Sequence, residues 1–209
     1  GFLVKTITTE NIYSNYSGQD DQEKIRNCVI DHYTNEGIEA VILGGDADPA
    51  NPNDRIIPHR GLYVAMGGST DSDIAGDIYY ANLDGNWNND GDNRWGEPGE
   101  EDLYAEVAIG RFCVDNSIEI EHMTDKLIAY QDAPVISDIE KALMIGEALD
   151  GSTWGATSKD EIADGTSNHG FTTTGIPSNF TVNYLYERDM SWNRYDVFDQ
   201  FNTTGVNLL

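Results

Sequence analysis

The residues best suited to chemistry lie in an acidic stretch, rich in asparagine and glycine, between Asp84 and Glu97. From Asn86 onward it reads Asn-x-Asn-x-Asp-Gly-x5-Glu, which is the spacing of a twelve-residue calcium loop. Calcium takes about six to eight oxygen ligands, and carboxylate and amide side chains at alternate positions supply them. The stretch therefore predicts a calcium site whose ligands are Asp84, Asn86, Asn88, Asp90, Asp92 and Glu97.

The glycine and the flanks of this stretch refine the prediction. Gly91 permits the sharp turn that lets the ligands close on one ion. The first position carries Asn86 rather than aspartate, so we expect Asp84 to take over that role. The flanks do not have the pattern of amphipathic helices, which favours an inserted calcium loop over an EF-hand. The alternative is a solvated acidic turn, because Asn, Asp and Gly are ordinary turn residues.

The overall charge limits the partners of the chain. The net charge is −25, from 37 acidic against 12 basic residues, which argues on electrostatic grounds against nucleic acid and anionic membrane as partners. Aspartates beside Gly and Asn suit both calcium-rich extracellular proteins and proteins from salty habitats. The two cysteines, Cys28 and Cys113, are too few for a disulfide framework, and both are predicted to be buried free thiols.

Helical and strand patterns alternate along the chain and must position these residues. Helices are predicted from Asp20, from Ser117, over residues 157–165 and over Arg194–Phe201, the last with Val197, Phe198 and Phe201 inward. Strands are predicted over residues 2–8, 40–43, 62–66, 77–82, 106–110, 141–147 and 181–186, with 40–43 and 141–147 buried. This alternation predicts an α/β fold with a mainly parallel sheet flanked by helices on both faces.

Function in such sheets gathers beyond the carboxyl ends of the strands. Asp46, Glu147 and the region near Arg111 all lie at predicted strand exits. The alternative for each is an ordinary loop acid or helix cap. The chain begins in a predicted strand and Gly205–Leu209 resembles the start of another, so we expect residues 1–209 to be one domain that continues beyond both ends.

Several segments, in order and across nearly the whole chain, resemble the gingipain family of cysteine peptidases. The segments are residues 20–27, 41–46 with 57–60, Ser72-Asp73 leading into Tyr79-Tyr80, the loop 83–97, residues 106–112, and Gly146-Glu147 followed by residues 153–155 and 159–161. The resemblance implies a caspase-like three-layer fold and peptide hydrolysis by a cysteine thiolate assisted by a histidine.

The family places its histidine in a turn after a strand and its cysteine after the next strand. The resemblance matches the final residues to the strand before that turn, so it implies that the catalytic pair lies beyond Leu209. A dyad within the chain is disfavoured because the cysteines fall on predicted core positions, where burial disfavours the thiolate. No cysteine follows His169, the one histidine in an Asn-His-Gly turn.

The resemblance also implies that part of the substrate site lies within the chain. Glu147 matches a family residue near the catalytic histidine, and Asp160 matches the acid in the pocket for a basic side chain. A carboxylate there pairs with Arg or Lys, which implies cleavage after basic residues. The alternatives are that Asp164 takes this role, or that Asp160 is a helix N-terminal acid stabilised by the helix dipole.

Three hypotheses follow from the sequence. The first is the amino-terminal part of a secreted or cell-surface, calcium-stabilised cysteine endopeptidase, inactive without its remaining carboxyl-terminal part. The second is a non-catalytic extracellular calcium-binding module used for binding or adhesion. The third, a halophilic nucleotide or flavin binder, is disfavoured because no phosphate-binding glycine loop follows a predicted strand, and Asp46 after Gly44-Gly45 would repel phosphate.

Overall fold

A computed structural model describes residues 3–48, 51 and 53–206 of the chain. The chain forms two compact units, residues 1–125 (unit 1) and residues 126–209 (unit 2), which are described separately. Both contain helices and short strands, so the predicted α/β class is confirmed. A single domain over residues 1–209 stays a prediction.

The helices and strands of unit 1 alternate in an irregular order. In chain order they are α1 (Thr9–Asn15), α2 (Asp21–Glu36), β1 (Ala40–Gly44), β2 (Arg60–Met66), β3 (Ser69–Gly76), α3 (Ile78–Ala81) and β4 (Ala108–Phe112). The helix α4 (Ser117–Asp132) contains the boundary between the two units.

The helix α2 confirms the prediction made from its sequence. Asp20 caps its start by accepting a hydrogen bond from the Glu23 N–H at 2.8 Å, and Gly37 ends it in the left-handed conformation with φ +69°. Ile25 and Cys28 pack into the main core of the unit. The helical spacing of these apolar residues therefore identified the face that the helix buries.

The two strands β1 and β4 pair in parallel, from Ala40 opposite Ala108 to Gly44 opposite Phe112. The prediction of a wholly buried strand is wrong for β1, because Ile42 is 66% exposed while Leu43 is buried. Cys113, just after β4, is also exposed, so its predicted burial is wrong. Among the described residues each of these strands has only one neighbour, and an apolar side chain on such a pair is covered on one face only.

Two further sequence predictions in unit 1 are wrong. Residues 3–8 have no regular structure and α1 follows them, whereas a strand was predicted over Phe2–Thr8; Phe2 itself lies outside the described residues. The segment Asp77–Asn82 is not a strand but contains the short helix α3. Tyr79, Tyr80 and Ala81 are all buried there, and three consecutive buried side chains suit a helical turn better than the alternation of a half-buried strand.

The described residues of unit 2 form one parallel pair of strands and three further helices. In chain order the elements are α5 (Ile136–Ile139), β5 (Lys141–Gly146), α6 (Gly155–Asp164), β6 (Thr181–Tyr186), α7 (Arg194–Asp199) and a π-helical turn, Gln200–Thr204. The strands pair from Lys141 opposite Thr181 to Gly146 opposite Tyr186. The predictions of a buried β5, of β6 and of a helix near residues 157–165 are confirmed.

The helix α6 packs closely against the end of β5. A Cβ added to Gly146 would lie 2.5 Å from the Ala156 nitrogen, so glycine is the residue that permits this approach. Met144, Ala156 and Tyr186 form the buried cluster at this contact. Even-numbered side chains of both strands therefore face α6, because side chains alternate along a strand.

The helix α7 begins at the predicted residue, with Asn193 as its capping residue, but its packing differs from the prediction. Phe198 is 54% exposed and Phe201 is also exposed, so their predicted inward orientation is wrong. The predicted strand over Gly205–Leu209 falls largely on residues 207–209, which lie outside the described residues.

The sheets are smaller than the single sheet predicted. Within the described residues the strands form three separate pairs, of which β1–β4 and β5–β6 are parallel and β2–β3 is an antiparallel hairpin. None of the described helices has the length and apolar character needed to cross a membrane.

Candidate functional site

The predicted calcium loop is anchored to the core of unit 1 by a tryptophan that the ligand spacing does not reveal. Trp87 is 2% exposed, and its indole N–H donates to the Asn82 Oδ1 at 3.0 Å. Its ring packs edge-on against Tyr79. Gly96, with φ +75°, returns the chain beneath the indole, where an added Cβ would lie 3.2 Å from the ring. The loop is therefore closed around one buried aromatic side chain.

Three of the predicted metal ligands converge in this loop. One carboxylate oxygen from each of Asp90, Asp92 and Glu97 lies within 4.8 Å of the others. Gly91 has φ +75°, which provides the predicted turn between the two aspartates. Hard carboxylate oxygens at this separation are the donor type that calcium prefers. These three side chains therefore match the chemistry of a calcium ion.

The other predicted ligands take different positions. The Asn86 Oδ1 accepts from the Asn88 N–H at 3.2 Å, and the Asn88 Oδ1 accepts from the Gly91 N–H at 3.0 Å. These side chains hold the loop backbone in its turns. Asp84 is exposed and, among the described residues, is not part of the converging carboxylate group.

A further acid, Glu100, holds this loop although the sequence did not single it out. Its Oε1 accepts from the Asn89 N–H at 2.7 Å and from the Asp90 N–H at 3.3 Å. It thereby fixes the backbone just before the carboxylate group. The contact joins residues about ten positions apart in an irregular segment, and no periodic pattern in the sequence could have indicated it.

Strand exits in unit 1 serve mainly to hold the backbone together. Asp46, directly after β1 and Gly45, donates its N–H to the Val114 carbonyl at 3.2 Å, and its negative charge raises the pKa of Asp115. Arg111 forms two hydrogen bonds to Asp77, at 2.6 and 2.8 Å, and also donates to the carbonyl oxygens of Gly45 and Ile57. The Arg111 guanidinium is therefore fully engaged at this exit, whereas the Asp46 Oδ1 is buried and has no hydrogen-bond partner.

The exits of β5 and β6 carry two glutamates side by side. Glu147 and Glu187 directly follow Gly146 and Tyr186, which form the last pair of the β5–β6 register. The Glu187 N–H donates to the Gly146 carbonyl at 2.9 Å, and its Oε2 accepts from the Ala148 N–H at 2.8 Å. Both glutamates line a cavity of about 460 Å³. Sequence reasoning identified Glu147 but not Glu187, since pairing between distant strands is needed to bring the two together.

Asp160 lies in a different environment from Glu147. Its Oδ2 accepts a hydrogen bond from the Arg188 guanidinium at 2.7 Å, which also pairs with Asp189 and stacks over the Tyr186 ring. Asp160 therefore already holds a guanidinium group of the chain itself. The competing acid, Asp164, is exposed at the end of α6.

The structure does not bring Glu147 and Asp160 into one pocket. The helix α6, which carries Asp160, packs on the face of β5–β6 that contains Met144 and Tyr186. Glu147 and Glu187 follow Ile145 and Leu185, which are on the opposite face by strand alternation. The two predicted substrate residues thus lie on the two sides of this strand pair.

The cysteines and histidines form no nucleophile–base pair in the described part of the chain. No hydrogen bond joins a cysteine to a histidine there; instead the ring of His59 contacts Asp73 at 3.1 Å and that of His169 contacts Glu161 at 3.0 Å. Burial raises the pKa of the Cys28 thiol, which disfavours the reactive thiolate. Cys113 is exposed, but it also has no histidine partner among the described residues.

Comparison with known proteins identifies one family. The family model described as peptidase family C25 matches residues 1–209, the whole chain. No curated protein and no solved structure matches the chain.

Proposed function

Because the chain belongs to peptidase family C25, the gingipain family of cysteine peptidases, we propose that it is the amino-terminal part of a secreted, calcium-stabilised cysteine endopeptidase that cleaves after basic residues. The observation that carries the proposal is the family match over the whole chain. The proposed whole domain has the caspase-like three-layer arrangement, in which helices cover both faces of a mainly parallel sheet.

The catalytic histidine and cysteine are proposed to lie outside residues 1–209. Support comes from the described residues, in which neither Cys28 nor Cys113 is hydrogen-bonded to a histidine. Peptide hydrolysis needs a thiolate that attacks the scissile carbonyl carbon and a nearby histidine that protonates the leaving amine. The proposed role of this chain is to supply part of the substrate-binding surface and the calcium loop.

Glu147 and Asp160, which lie on the two sides of the β5–β6 pair, are each proposed to contact the substrate. Glu147 lies at the exit of β5 beside a cavity, and Asp160 already binds the guanidinium of Arg188. Carboxylates bind guanidinium groups with short, charge-assisted hydrogen bonds, so the chemistry at Asp160 suits an arginine side chain. A substrate arginine at Asp160 would have to replace Arg188 there.

Peptidase activity gives the direct test of this proposal. We expect a longer protein that contains residues 1–209 and the remaining part of the domain to hydrolyse peptides after Arg or Lys. A thiol-blocking reagent should abolish that activity, because the nucleophile is a thiolate. Release of a chromogenic group from Arg-, Lys- and norleucine-ended peptides measures the rate and the preference. Absence of hydrolysis on all three substrates would refute the peptidase proposal.

Calcium is proposed to bind at Asp90, Asp92 and Glu97, with further oxygens from Asp84, Asn86 and Asn88. The convergence of the three carboxylates supports this. Glu97 also accepts a hydrogen bond from the Arg94 guanidinium at 3.2 Å, so this arginine offsets part of the negative charge of the group. A bound ion would supply positive charge that joins both ends of the loop. The ion would stabilise the folded state and would take no part in cleavage of the peptide bond.

Removal of calcium is expected to lower the melting temperature of unit 1. At free calcium about 100 times its dissociation constant, binding contributes about 2.7 kcal/mol to the folded state. Thermal melting with calcium and with excess chelator measures the difference. Asp92→Asn should reduce it, whereas Asp71→Asn, an exposed acid on β3, should leave it unchanged. Equal melting temperatures with calcium and with chelator would contradict a structural calcium site.

A non-catalytic calcium-binding module is the second candidate function. It is favoured by one observation, namely that no cysteine–histidine pair is present in the described part of the chain. The peptidase assay separates the two candidates, because the module would keep the calcium-dependent stability and hydrolyse none of the peptides.

A further inference from the structure

One arginine lies within the acidic loop of unit 1. Residues 84–102 contain seven acidic side chains and a single basic one, Arg94. Its guanidinium donates to the Glu97 Oε1 at 3.2 Å, and its backbone N–H donates to the Asp92 Oδ1 at 2.6 Å. Arg94 is therefore bound to two of the three acids proposed to hold calcium. Among the described residues no other basic side chain forms an ion pair with those acids.

The position of Glu97 in the loop shows which atom is contested. Counted from Asn86, Glu97 is the twelfth residue, and the glutamate at this position of a calcium loop binds the ion through both carboxylate oxygens. One of these two oxygens already accepts the hydrogen bond from Arg94. A guanidinium and a calcium ion would therefore compete for the same oxygen atom.

Exposure indicates which partner of this ion pair is free to move. The Glu97 side chain is 21% exposed, whereas the Arg94 side chain is 53% exposed. Arg94 also has a contact that does not depend on Glu97, because its guanidinium carbon lies 5.4 Å from the centre of the Tyr63 ring on β2. A cation keeps a favourable interaction with such a ring after its carboxylate partner is lost. Arg94 can therefore leave Glu97 without any unfolding of the loop.

We propose that Arg94 is a built-in competitor of the calcium ion. It binds Glu97 in the ion-free loop, gives up this carboxylate when the ion binds, and so raises the calcium concentration at which the loop fills. The inference rests on the proposed calcium site and adds the residue that regulates it. Arg94 thus stabilises the ion-free loop and opposes the ion-bound one.

A purely structural ion pair would behave differently from a competitor. If Arg94 only stabilised the fold, its removal would lower stability by the same amount with calcium and without it, and calcium affinity would not rise. A competitor has opposite effects on the two states, because its hydrogen bond and its positive charge favour only the loop without the ion. The sign of the change in calcium affinity therefore separates the two roles.

Titration of calcium chloride into the 209-residue chain, followed by calorimetry, tests the proposal. Arg94→Gln is expected to bind calcium about three- to tenfold more tightly, because the change removes a competing hydrogen bond and a like charge close to the ion. Arg94→Met keeps an unbranched stem beside the Tyr63 ring without the charge, so it should bind as tightly as Arg94→Gln. Arg94→Lys keeps the positive charge and should stay closer to the native affinity.

Two further variants control the titration. Arg55 is an exposed base outside the loop, so Arg55→Gln changes the net charge by the same amount as Arg94→Gln and should leave the calcium affinity unchanged. Asp92→Asn should weaken binding both in the native chain and together with Arg94→Gln, because Asp92 belongs to the converging carboxylates. These variants separate an effect at the loop from a general effect of charge.

Thermal melting gives a second readout, which does not depend on activity. In excess chelator, Arg94→Gln is expected to melt below the native chain, because the acids of the loop have lost their counter-ion. At a calcium concentration that half-saturates the native chain, this deficit should shrink or reverse, since more of the variant is in the ion-bound state. An equal deficit in chelator and in calcium would show that Arg94 has only a structural role.

The remaining outcomes distinguish this inference from the proposal on which it rests. If the native chain binds calcium and Arg94→Gln and Arg94→Met bind it equally or more weakly, the inference is overturned and the calcium site stands. If neither the native chain nor these variants bind calcium, the proposed calcium site is refuted and the inference with it. Both measurements are made without a peptide substrate, so the peptidase proposal is tested separately.

Discussion

Replacement of Trp87 by alanine is expected to lower the free energy of unfolding of unit 1 by about 3–5 kcal/mol, the usual cost of removing a buried tryptophan. The indole occupies the main core of the unit beside Tyr79 and Tyr80. It also closes the loop that carries the proposed calcium ligands, because Gly96 lies against its ring. The variant therefore leaves a cavity and releases both ends of the loop.

Denaturant unfolding measures this loss of stability. It is monitored by the circular dichroism of the backbone, a signal that does not rely on tryptophan fluorescence. Trp87→Phe is expected to lose less, because it keeps most of the ring but not the hydrogen bond to Asn82. Tyr104→Ala is the matched control, since Tyr104 is an aromatic residue near the same loop with an exposed side chain. A loss below about 1 kcal/mol for Trp87→Ala would show that the loop is not anchored through this residue.

The same variant connects the core to the proposed calcium site. If Trp87 positions the loop, its loss also disorganises Asp90, Asp92 and Glu97, whose oxygens must converge to bind an ion. The difference in melting temperature between calcium and chelator should therefore become smaller in Trp87→Ala. A variant that is destabilised but retains the full calcium effect would separate the anchor from the ion site.

Replacement of Asp20 by alanine is the second large effect. The expected loss is about 3 kcal/mol, the lower end of the range for removing one partner of a buried ion pair, because Asp20 itself is 31% exposed. Asp20 receives two hydrogen bonds from Arg60, at 2.8 and 2.9 Å, and the Arg60 side chain is only 4% exposed. The guanidinium lies between the rings of Tyr79 and Trp95. Without the carboxylate this buried charge would have no counter-ion among the described residues.

Asp21→Ala is the control for this variant. Asp21 is the next residue in the chain, and its carboxylate pairs with Lys24 in a more exposed ion pair, for which a loss of at most about 1 kcal/mol is expected. Denaturant unfolding of both variants gives the comparison. Equal losses for the two would show that the Asp20–Arg60 pair contributes no more than a surface contact.

The stability provided by Asp20 should also depend on pH. Burial alone would raise the pKa of this carboxyl group, but the hydrogen bonds from Arg60 and from the Glu23 N–H lower it below its usual value. A lowered folded-state pKa gives stability that is complete above the unfolded value of about 3.9 and is lost as the pH falls through the folded value. The difference between the native chain and Asp20→Ala should therefore shrink below about pH 4.

Local sequence signals predicted several elements correctly. The acids and helical spacing from Asp20 to Gly37 identified α2, and the apolar run from Lys141 to Gly146 identified β5 as a buried strand. Both signals are local, because a cap, a period or an apolar run is complete within one segment. The segment Asp77–Asn82 was predicted wrongly, because its structure depends on contacts outside the segment. Its aromatic residues suit a strand, but packing against distant residues makes it a helical turn.

In the candidate sites too, local spacing identified some residues, whereas others depend on contacts between distant segments. The spacing of Asp90, Asp92 and Glu97 marked a metal loop, and these three carboxylates do converge. The sequence did not predict the roles of Trp87, which anchors the loop in the core, and of Glu100, which accepts hydrogen bonds from the loop backbone. The spacing of ligands carries no information on what a loop packs against. Glu147 was identified as a strand-exit acid. Glu187, 40 residues away in the chain, lines the same cavity only because β5 and β6 pair.

The sequence by itself determined the family, the α/β class, the position of the acidic loop and the strand-exit acids, because each of these depends on residue types at short spacing. Only the tertiary structure shows that Glu147 and Asp160 lie on opposite faces of the β5–β6 pair. It also shows that the Arg188 guanidinium is hydrogen-bonded to the Asp160 carboxylate. The physical reason is that strand alternation and register set the direction of a side chain. Register is fixed by burial and by pairing between segments that are distant in the sequence.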